Sequence, residues 1–232
     1  MSTDSDTKEY SKIMVYTYGK VGSTSIRVNN DNGRYYGRIR DEYPEFILQI
    51  ERHTVAKDII TKYQNVLVIN IVRLPIDRNI SAFWQFTKFK HPFYLDKPIE
   101  KLNNIFINSR LNIKNNDVWM NKLFENLNVN IDNLTFDFAN KYNLVNLENN
   151  NDLLMFRFED WSYIKYNVLP KFKVLVNKNA NVTSNKKCAD KYKEHKEFYK
   201  VTETEKENIK NSKILNFYYT EDEINTHISK YE

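Results

Sequence analysis

The sequence predicts an α/β fold of three layers, in which helices flank a central, mostly parallel sheet of about four to five strands and the C-terminal part is helical. In the first half of the chain, short apolar runs alternate with segments whose apolar residues have helical spacing. This order predicts parallel strands joined by right-handed crossovers. The run at residues 66–72 is nearly all apolar, as expected of a strand that is buried on both faces.

Each predicted element of the first half has its own signal. Apolar runs predict three strands, at residues 12–18, 46–50 and 66–72. Helical spacing predicts three helices, which run from about Ser23, over residues 54–63, and from Pro75 to about Phe89. The glycines and asparagines of residues 29–40 instead predict a loop or a short hairpin.

The second half of the chain is predicted to be mainly helical. Residues 99–145 have apolar positions at helical spacing, whereas residues 153–158 predict a fourth strand, followed by a helix through Leu169. We attribute the run Asn149-Asn150-Asn151 to coding bias without mechanistic content. Two threonine–glutamate pairs have the spacing of capping boxes, which predicts further helix starts: Thr202 with Glu205, and Thr220 with Glu223.

Composition and charge exclude several classes of protein. The formal net charge is +5, but 35 basic residues mix with 30 acidic ones without forming a block, so we expect a solvated surface and no nucleic-acid binding. Cys188 is the only cysteine, so we expect a buried thiol, no internal disulfide and no metal site. The absence of repeats and linkers predicts one domain over residues 1–232, with a flexible N-terminus at 1–10. The polar start and the lack of an apolar run of about 20 residues predict a cytoplasmic protein without membrane insertion.

The most distinctive segment joins the first predicted strand to the first predicted helix. Residues 18–26 read Tyr-Gly-Lys-Val-Gly-Ser-Thr-Ser-Ile and place two of the chain's four glycines around Lys20. In such a turn, successive backbone N–H groups point into one concavity beside the positive end of a helix, which suits a phosphate. An ordinary strand-to-helix loop is the alternative interpretation. A Walker A loop is excluded, because Lys20 precedes Gly22 instead of following the second glycine.

The order Lys20-Val21-Gly22-Ser23-Thr24-Ser25 resembles the 5′-phosphosulfate loop of sulfotransferases that use 3′-phosphoadenosine 5′-phosphosulfate (PAPS). That family usually has P-K-x-G-T-T. Here Gly19 replaces the proline and a serine replaces the first threonine, and both changes keep the turn possible. The resemblance implies that Lys20 contacts the bridging oxygen and the leaving phosphate. It also implies that the N–H groups of residues 21–25 hold the 5′-phosphate, with hydroxyl bonds from the last two residues of the motif.

A second match to the same family follows the third predicted strand. In the family, this strand ends in an arginine, and a serine eight positions later on the next helix helps it to hold the 3′-phosphate. Arg73 and Ser81 have this spacing, and we expect Ser81 one turn into the helix. A planar guanidinium can make bidentate bonds to phosphate oxygens, which explains the choice of arginine. The family's Arg-Lys-Gly tripeptide, which closes over the nucleotide, is missing here, and Lys186 and Lys187 are the candidate substitutes.

A third stretch, Arg157-Phe158-Glu159-Asp160-Trp161, resembles a segment that is largely structural in many sulfotransferases. We therefore expect Arg157 and Glu159 to form ion pairs that support the fold. A catalytic role for these two residues is the less favoured alternative. The resemblance covers the sheet-forming half of the chain well and the C-terminal part only loosely.

The acceptor hydroxyl of a sulfuryl transfer needs a base. His53 is the first candidate, because an imidazole titrates near neutrality and this one follows the second predicted strand; Glu51 is the fallback. The segment with Arg34, Tyr36 and Arg38 mixes cations with aromatic rings and is the candidate acceptor site. A solvated loop is the alternative there. The two motifs most resemble those of carbohydrate sulfotransferases, and this resemblance implies a carbohydrate acceptor, with an acidic peptide or a small molecule as the alternatives.

Three functions are therefore compatible with the sequence. The first is a metal-free sulfotransferase that moves a sulfuryl group from PAPS to a hydroxyl or amine and releases adenosine 3′,5′-bisphosphate. The second is a P-loop kinase of a nucleoside or small molecule, but such kinases hold Mg²⁺ with an aspartate at a strand end, where this chain has Arg73. The third is a nucleotide-binding module without turnover.

Overall fold

The computed structural model describes residues 8–19, 21, 23–29, 34–35, 42, 46–90, 93–109, 113–176 and 188–232. The chain divides into two compact units, each made of two separate stretches. Unit 1 comprises residues 1–72 and 122–180, and unit 2 comprises residues 73–121 and 181–232. The single domain expected over residues 1–232 stays a prediction.

Unit 1 contains one sheet. Its six strands within the described residues are β1 (Lys12–Tyr16), β2 (Arg34–Tyr35), β3 (Ile47–Ile50), β4 (Val66–Val72), β5 (Tyr142–Asn146) and β6 (Asp152–Arg157). Their order across the sheet is β2-β3-β1-β4-β6-β5. All neighbouring strands are parallel except β5 and β6, which are antiparallel. Because β2 has only two residues, five strands form the body of the sheet, and the predicted mostly parallel α/β fold is confirmed.

The described residues form ten α-helices, numbered here along the chain. They are α1 (Ser23–Asn29), α2 (His53–Lys62), α3 (Pro75–Lys90), α4 (Ile99–Ile107), α5 (Ile113–Asn126), α6 (Trp161–Tyr163), α7 (Ala189–Phe198), α8 (Glu203–Lys210), α9 (Lys213–Tyr218) and α10 (Glu221–Ser229). None of them combines the length and apolar character that a membrane-crossing helix requires.

In unit 1, helices cover both faces of the sheet. Alternate residues of a strand point to opposite faces. Ile13 and Val15 of β1 point to the face on which α1 and the segment after β6 pack, and both are fully buried. Tyr16 points to the other face, where α2 contacts it. Burial of such side chains, at roughly 1.5–3 kcal/mol each, stabilises this arrangement.

The predicted helix over residues 99–145 is wrong at its C-terminal end. Tyr142–Asn146 forms β5, which pairs with β6. Between the two strands, Asn149 and Asn150 have φ angles of 58° and 56°, a left-handed conformation that asparagine tolerates better than most residues. Asn151 is buried, and its Oδ1 accepts a bond from the backbone N–H of Val66 at 2.8 Å. The asparagine run therefore has a structural role that composition alone did not reveal.

The helix predicted after β6 is present but irregular. A 3-10 turn (Phe158–Asp160) leads into α6, and α6 continues as a π turn (Ile164–Val168) and a second 3-10 turn (Leu169–Phe172). Pro170 lies in the last of these turns and has no N–H to donate to the preceding turn, which prevents a regular α-helix there.

Two ends of the chain are held by side chains. Within the segment predicted to be a flexible N-terminus, the described residues Lys8 and Tyr10 both donate to Oδ2 of Asp152, at 2.7 and 2.6 Å. At the other end, both predicted capping boxes are confirmed. The threonine hydroxyls accept from the glutamate N–H groups at 3.3 Å before α8 and at 3.2 Å before α10.

Unit 2 buries two histidines. His195 packs edge-on against Phe83, Trp84 and Phe106, with ring centroids 5.2–5.9 Å away. The indole N–H of Trp84 donates to its Nδ1 at 2.9 Å, so Nδ1 is an acceptor and the neutral ring has its hydrogen on Nε2. Burial lowers the pKa of His195 to about 4, because the cation is poorly solvated there. His227 is also buried, and desolvation lowers its pKa to about 4 as well.

These lowered pKa values predict acid destabilisation. The unfolded chain binds a proton at each histidine near pH 6.5, whereas the folded chain does so only near pH 4. The contribution of the two neutral histidines to the free energy of unfolding is therefore fully present above pH 6.5 and is lost as the pH falls towards 4. On the order of 3 kcal/mol is lost per histidine. The variant His195→Gln keeps an acceptor for Trp84 but does not titrate. Urea unfolding at several pH values is expected to show a flatter slope for this variant between pH 6.5 and 4, and an unchanged slope would contradict the assignment.

Candidate functional site

The candidate site lies at the carboxyl ends of the central strands of unit 1. The chain leaves β1 towards β3 on one side of the sheet, whereas it leaves β4 towards β6 on the other side. The side of the sheet on which successive strands are added therefore changes between the parallel strands β1 and β4. Open α/β sheets bind ligands outside the carboxyl ends of the strands at such a switch point. The motif loop of residues 17–22 begins where β1 ends.

Gly19 allows the tight turn in which the motif loop begins. Its φ angle is +85°, a conformation that is costly for residues with a Cβ atom. A Cβ atom on Gly19 would lie 3.8 Å from Oε1 of Glu51, which is an ordinary contact, so the requirement for glycine comes from the backbone. The same distance shows that the carboxylate of Glu51, just after β3, lies beside this turn.

Ser23, the first residue of α1, is hydrogen-bonded to a side chain of the sheet. The amide Nε2 of Gln49 on β3 donates to its Oγ at 3.0 Å, and both side chains are buried. Because a lone pair of the hydroxyl takes this bond, its hydrogen can be donated elsewhere. Thr24 is half buried and Ser25 is buried, and the first turn of α1 contains no acidic residue. This set of donors fits an anionic group.

Two buried polar atoms near this loop have no hydrogen-bond partner within the described part of the chain. They are Oγ1 of Thr17, which directly follows β1, and Oε1 of Gln49. Both side chains are almost fully buried. A buried polar group without a partner is costly, so such groups are rare away from ligand or water sites.

His53 is part of a hydrogen-bonded group that joins three elements. It is the first residue of α2, and its Nδ1 bonds to the hydroxyl of Tyr16, the last residue of β1. Nδ2 of Asn126, at the end of α5, lies 3.4 Å from the Tyr16 oxygen and 3.3 Å from the carbonyl oxygen of His53. His53 is half buried and Tyr16 is fully buried.

The surroundings of His53 keep its ring neutral at pH 7. Burial lowers its pKa most, the cation of Lys122 lowers it further, and the carboxylate of Glu125 opposes them. Burial also raises the pKa of Tyr16, against a smaller lowering by the bond from Asn126, so the phenol keeps its proton. A neutral imidazole beside a neutral phenol can accept or donate a proton, depending on its tautomer.

The arginine–serine pair of the second motif belongs to unit 2. Arg73 directly follows β4, whose last residue is Val72, and its cation lowers the pKa values of Asp77 and His227. Ser81 is half buried and is the seventh residue of α3. It therefore lies in the second turn of the helix and not in the first, because α3 begins at Pro75.

Asp77, in the first turn of α3, contacts several side chains of unit 2. Its carboxylate pairs with Lys196, accepts from the hydroxyl of Tyr231 at 3.1 Å and lies 3.7 Å from Nδ1 of His227. The N–H of Ile76 donates to Nε2 of the same histidine at 3.3 Å. These contacts fasten α7 and α10 to the start of α3.

Several predicted site residues lie outside the described residues. They are Lys20, Gly22, Tyr36, Arg38, Lys186 and Lys187, together with the side chain of Arg34. Their roles stay predictions. Of the third stretch, Arg157 pairs with Asp160 at 2.6 Å and its guanidinium lies 5.5 Å from the rings of Phe136 and Phe138, so it supports the fold as expected. Glu159 is exposed.

Sequence reasoning missed Tyr16, Gln49 and Asn126. Tyr16 and Gln49 were counted only as strand residues, although a polar side chain in a buried strand is itself a signal of a specific role. Asn126 is 110 residues from Tyr16 along the chain, and no local pattern connects the two.

Comparison with protein-family models, with curated proteins and with solved structures gives no match for this chain. The likeness to sulfotransferases therefore depends on the motif residues themselves. The fold adds that the first motif follows the central strand β1.

The backbone of Gly19 generates a prediction about the motif loop. Gly19→Ala is expected to destabilise the fold by roughly 1–2 kcal/mol, the cost of a left-handed conformation for a residue with a Cβ atom. Gly19→Asn is the matched variant and is expected to cost less, because asparagine tolerates this conformation. Urea unfolding measures both. Equal stability of the alanine variant and the wild type would mean that the turn does not need glycine.

Proposed function

We propose that the protein is a PAPS-dependent sulfotransferase, which moves a sulfuryl group from PAPS to a hydroxyl or amine of an acceptor. One observation carries the proposal: the lysine–glycine–hydroxyl motif follows the central strand β1, at the switch point of the strand order. The donor set around Ser23 and the uncharged first turn of α1 support an anionic ligand there. Sulfuryl transfer, like phosphoryl transfer, depends on placement and on stabilising the leaving oxygen.

The residues of the chain have distinct roles in this proposal. Lys20 stabilises the charge that develops on the leaving phosphate. The N–H groups and hydroxyls of residues 21–25 hold the 5′-phosphate, and Arg73 with Ser81 holds the 3′-phosphate. The base is His53 or Glu51, both of which lie just after β3.

The acceptor is proposed to be a carbohydrate. The cations and rings of Arg34, Tyr36 and Arg38 are its candidate contacts, and Lys186 and Lys187 are the candidate nucleotide lid. An acidic peptide and a small molecule are the alternative acceptors. The proposal needs no metal, and the cytoplasmic location stays a prediction of the sequence.

Kinetics of single variants test the proposal. With radiolabelled PAPS, transfer is measured to desulfated heparin, to desulfated chondroitin and to p-nitrophenol. Lys20→Ala is expected to lower kcat by at least 10²–10³-fold, as loss of a charge-stabilising donor does. Arg73→Ala is expected mainly to raise KM for PAPS, by roughly 10–100-fold, since a charge-assisted bond is worth about 1.5–3 kcal/mol.

Lys57→Ala is the matched control, because Lys57 is an exposed lysine on α2 outside both motifs. It is expected to behave like the wild type. If Lys20→Ala turned over PAPS as fast as this control, the assignment of Lys20 to the leaving group would be wrong. Absence of transfer to all three acceptors, with no release of adenosine 3′,5′-bisphosphate, would count against the function itself.

A further inference from the structure

We propose that the hydroxyl of Thr17 and the side-chain amide of Gln49 bind one water molecule inside unit 1, between the sheet and the start of α1. The water holds one end of the Gln49 amide, and the other end of the same amide holds Ser23. Gln49 is therefore a positioning residue for the first hydroxyl of the motif. The three residues belong to unit 1, and the water site does not depend on the proposed function.

Thr17 and Gln49 lie on the same face of the sheet. In the register of β1 with β3, Gln49 is opposite Val15. The backbone N–H of Thr17 donates to the carbonyl oxygen of Ile50 at 3.3 Å, so the pairing of the two strands continues past the end of β1. Because side chains alternate along a strand, Thr17 points to the same face as Val15, two residues before it. Thr17 and Gln49 are therefore diagonal neighbours on paired strands, a separation that a long side chain can bridge.

Ser23 takes only one end of the Gln49 amide. A carboxamide has an oxygen that accepts and an NH₂ group that donates, and the two point in different directions. One of them lies 3.0 Å from Oγ of Ser23. Either orientation of the amide therefore leaves its other end over, and in the orientation described that end is Oε1, which has no partner within the described part of the chain. Oγ1 of Thr17 has none there either.

All three side chains are buried. The exposed fraction is 0% for Thr17, 1% for Gln49 and 2% for Ser23, so bulk solvent does not reach their polar atoms. Buried polar groups in native proteins are almost always paired, and ordered water is the usual partner where the protein supplies none. The two atoms therefore point to a small polar molecule that is enclosed with them.

The chemistry of the two groups selects water as this molecule. A charged occupant would be buried without an opposite charge on any of these three side chains, which is costly. Water is neutral, and it can both donate and accept. It can therefore bond to a hydroxyl and to either end of an amide, and two to four polar partners are enough to hold a buried water.

The water site connects the elements that lead into and out of the motif loop. Thr17 directly follows β1, Gln49 lies in β3, and Ser23 begins α1. A water that fixes one end of the Gln49 amide also fixes the end that contacts Ser23. The position of the first motif hydroxyl is thus set by side chains in the interior of unit 1, outside the motif itself.

A crystal structure of the wild-type chain at high resolution tests the site directly. We expect one ordered peak within about 3.2 Å of both Oγ1 of Thr17 and the Gln49 amide. Crystals soaked with adenosine 3′,5′-bisphosphate are expected to keep this peak. A wild-type map without the peak would overturn the proposal. A nucleotide atom in place of the peak would also overturn it, since the two groups would then belong to the ligand site.

Thr17→Val tests the pairing of the hydroxyl in solution, because it removes the hydroxyl and nearly keeps the shape of the side chain. If water pairs the hydroxyl, Tm is expected to fall by roughly 2–4 °C, as for the loss of one hydrogen bond in a chain of this size. Removal of an unpaired hydroxyl would instead raise Tm, and a rise would contradict the proposal. Thr87→Val calibrates the fall, since Thr87 is also buried and donates to the carbonyl oxygen of Phe83 at 2.7 Å.

The double variant of Thr17→Val and Gln49→Met tests whether the two residues share one water. Methionine is about as long as glutamine but has no polar end. Because either single change removes the shared water, the second change then costs less than it does alone. We expect the fall in Tm of the double variant to be smaller than the sum of the two single falls. Additive falls would mean that the two groups do not share a partner, and the proposal would be wrong.

Discussion

Parallel pairing of β1 with β3 on one side and with β4 on the other is the constraint on which the candidate site depends. It places three strand ends side by side at the centre of the sheet. Within unit 1, the motif loop follows β1, and Glu51 and His53 follow β3. A different strand order would separate the lysine motif from both candidate bases.

The polar side chains within the sheet explain how the region at the carboxyl ends of its central strands is organised. Apolar residues fill the strands, yet Tyr16, Gln49 and Asn70 are buried among them. Gln49 reaches the first residue of α1, Tyr16 reaches the first residue of α2, and Nδ2 of Asn70 donates to the backbone oxygen of Tyr16 at 3.0 Å. Buried polar groups are costly unless they are paired. Their bonds therefore fix where the two helices begin, which is where the candidate site lies.

The parts of the fold that the sequence predicted are those set by local chemistry. The strand at residues 66–72 was predicted with its observed bounds, because an unbroken apolar run has few alternatives. The capping boxes before α8 and α10 were predicted because their bonds span only three residues. In contrast, β5 was missed, since its pairing with β6 and the left-handed turn at Asn149 outweigh its helix-like spacing. The contact of Asn126 with Tyr16 joins distant parts of the chain, so only the folded chain reveals it.

The central claim is that the motif loop after β1 binds adenosine 3′,5′-bisphosphate, the product of PAPS. Thermal unfolding with this nucleotide, compared with ADP and Mg²⁺, tests it most directly. A ligand at a hundred times its Kd stabilises by about 2.7 kcal/mol, which corresponds to a rise in Tm of roughly 5–10 °C for a chain of this size. The account predicts this rise with adenosine 3′,5′-bisphosphate in the wild type and its loss in Lys20→Ala. Stabilisation by ADP and Mg²⁺ alone would contradict the account and favour a kinase.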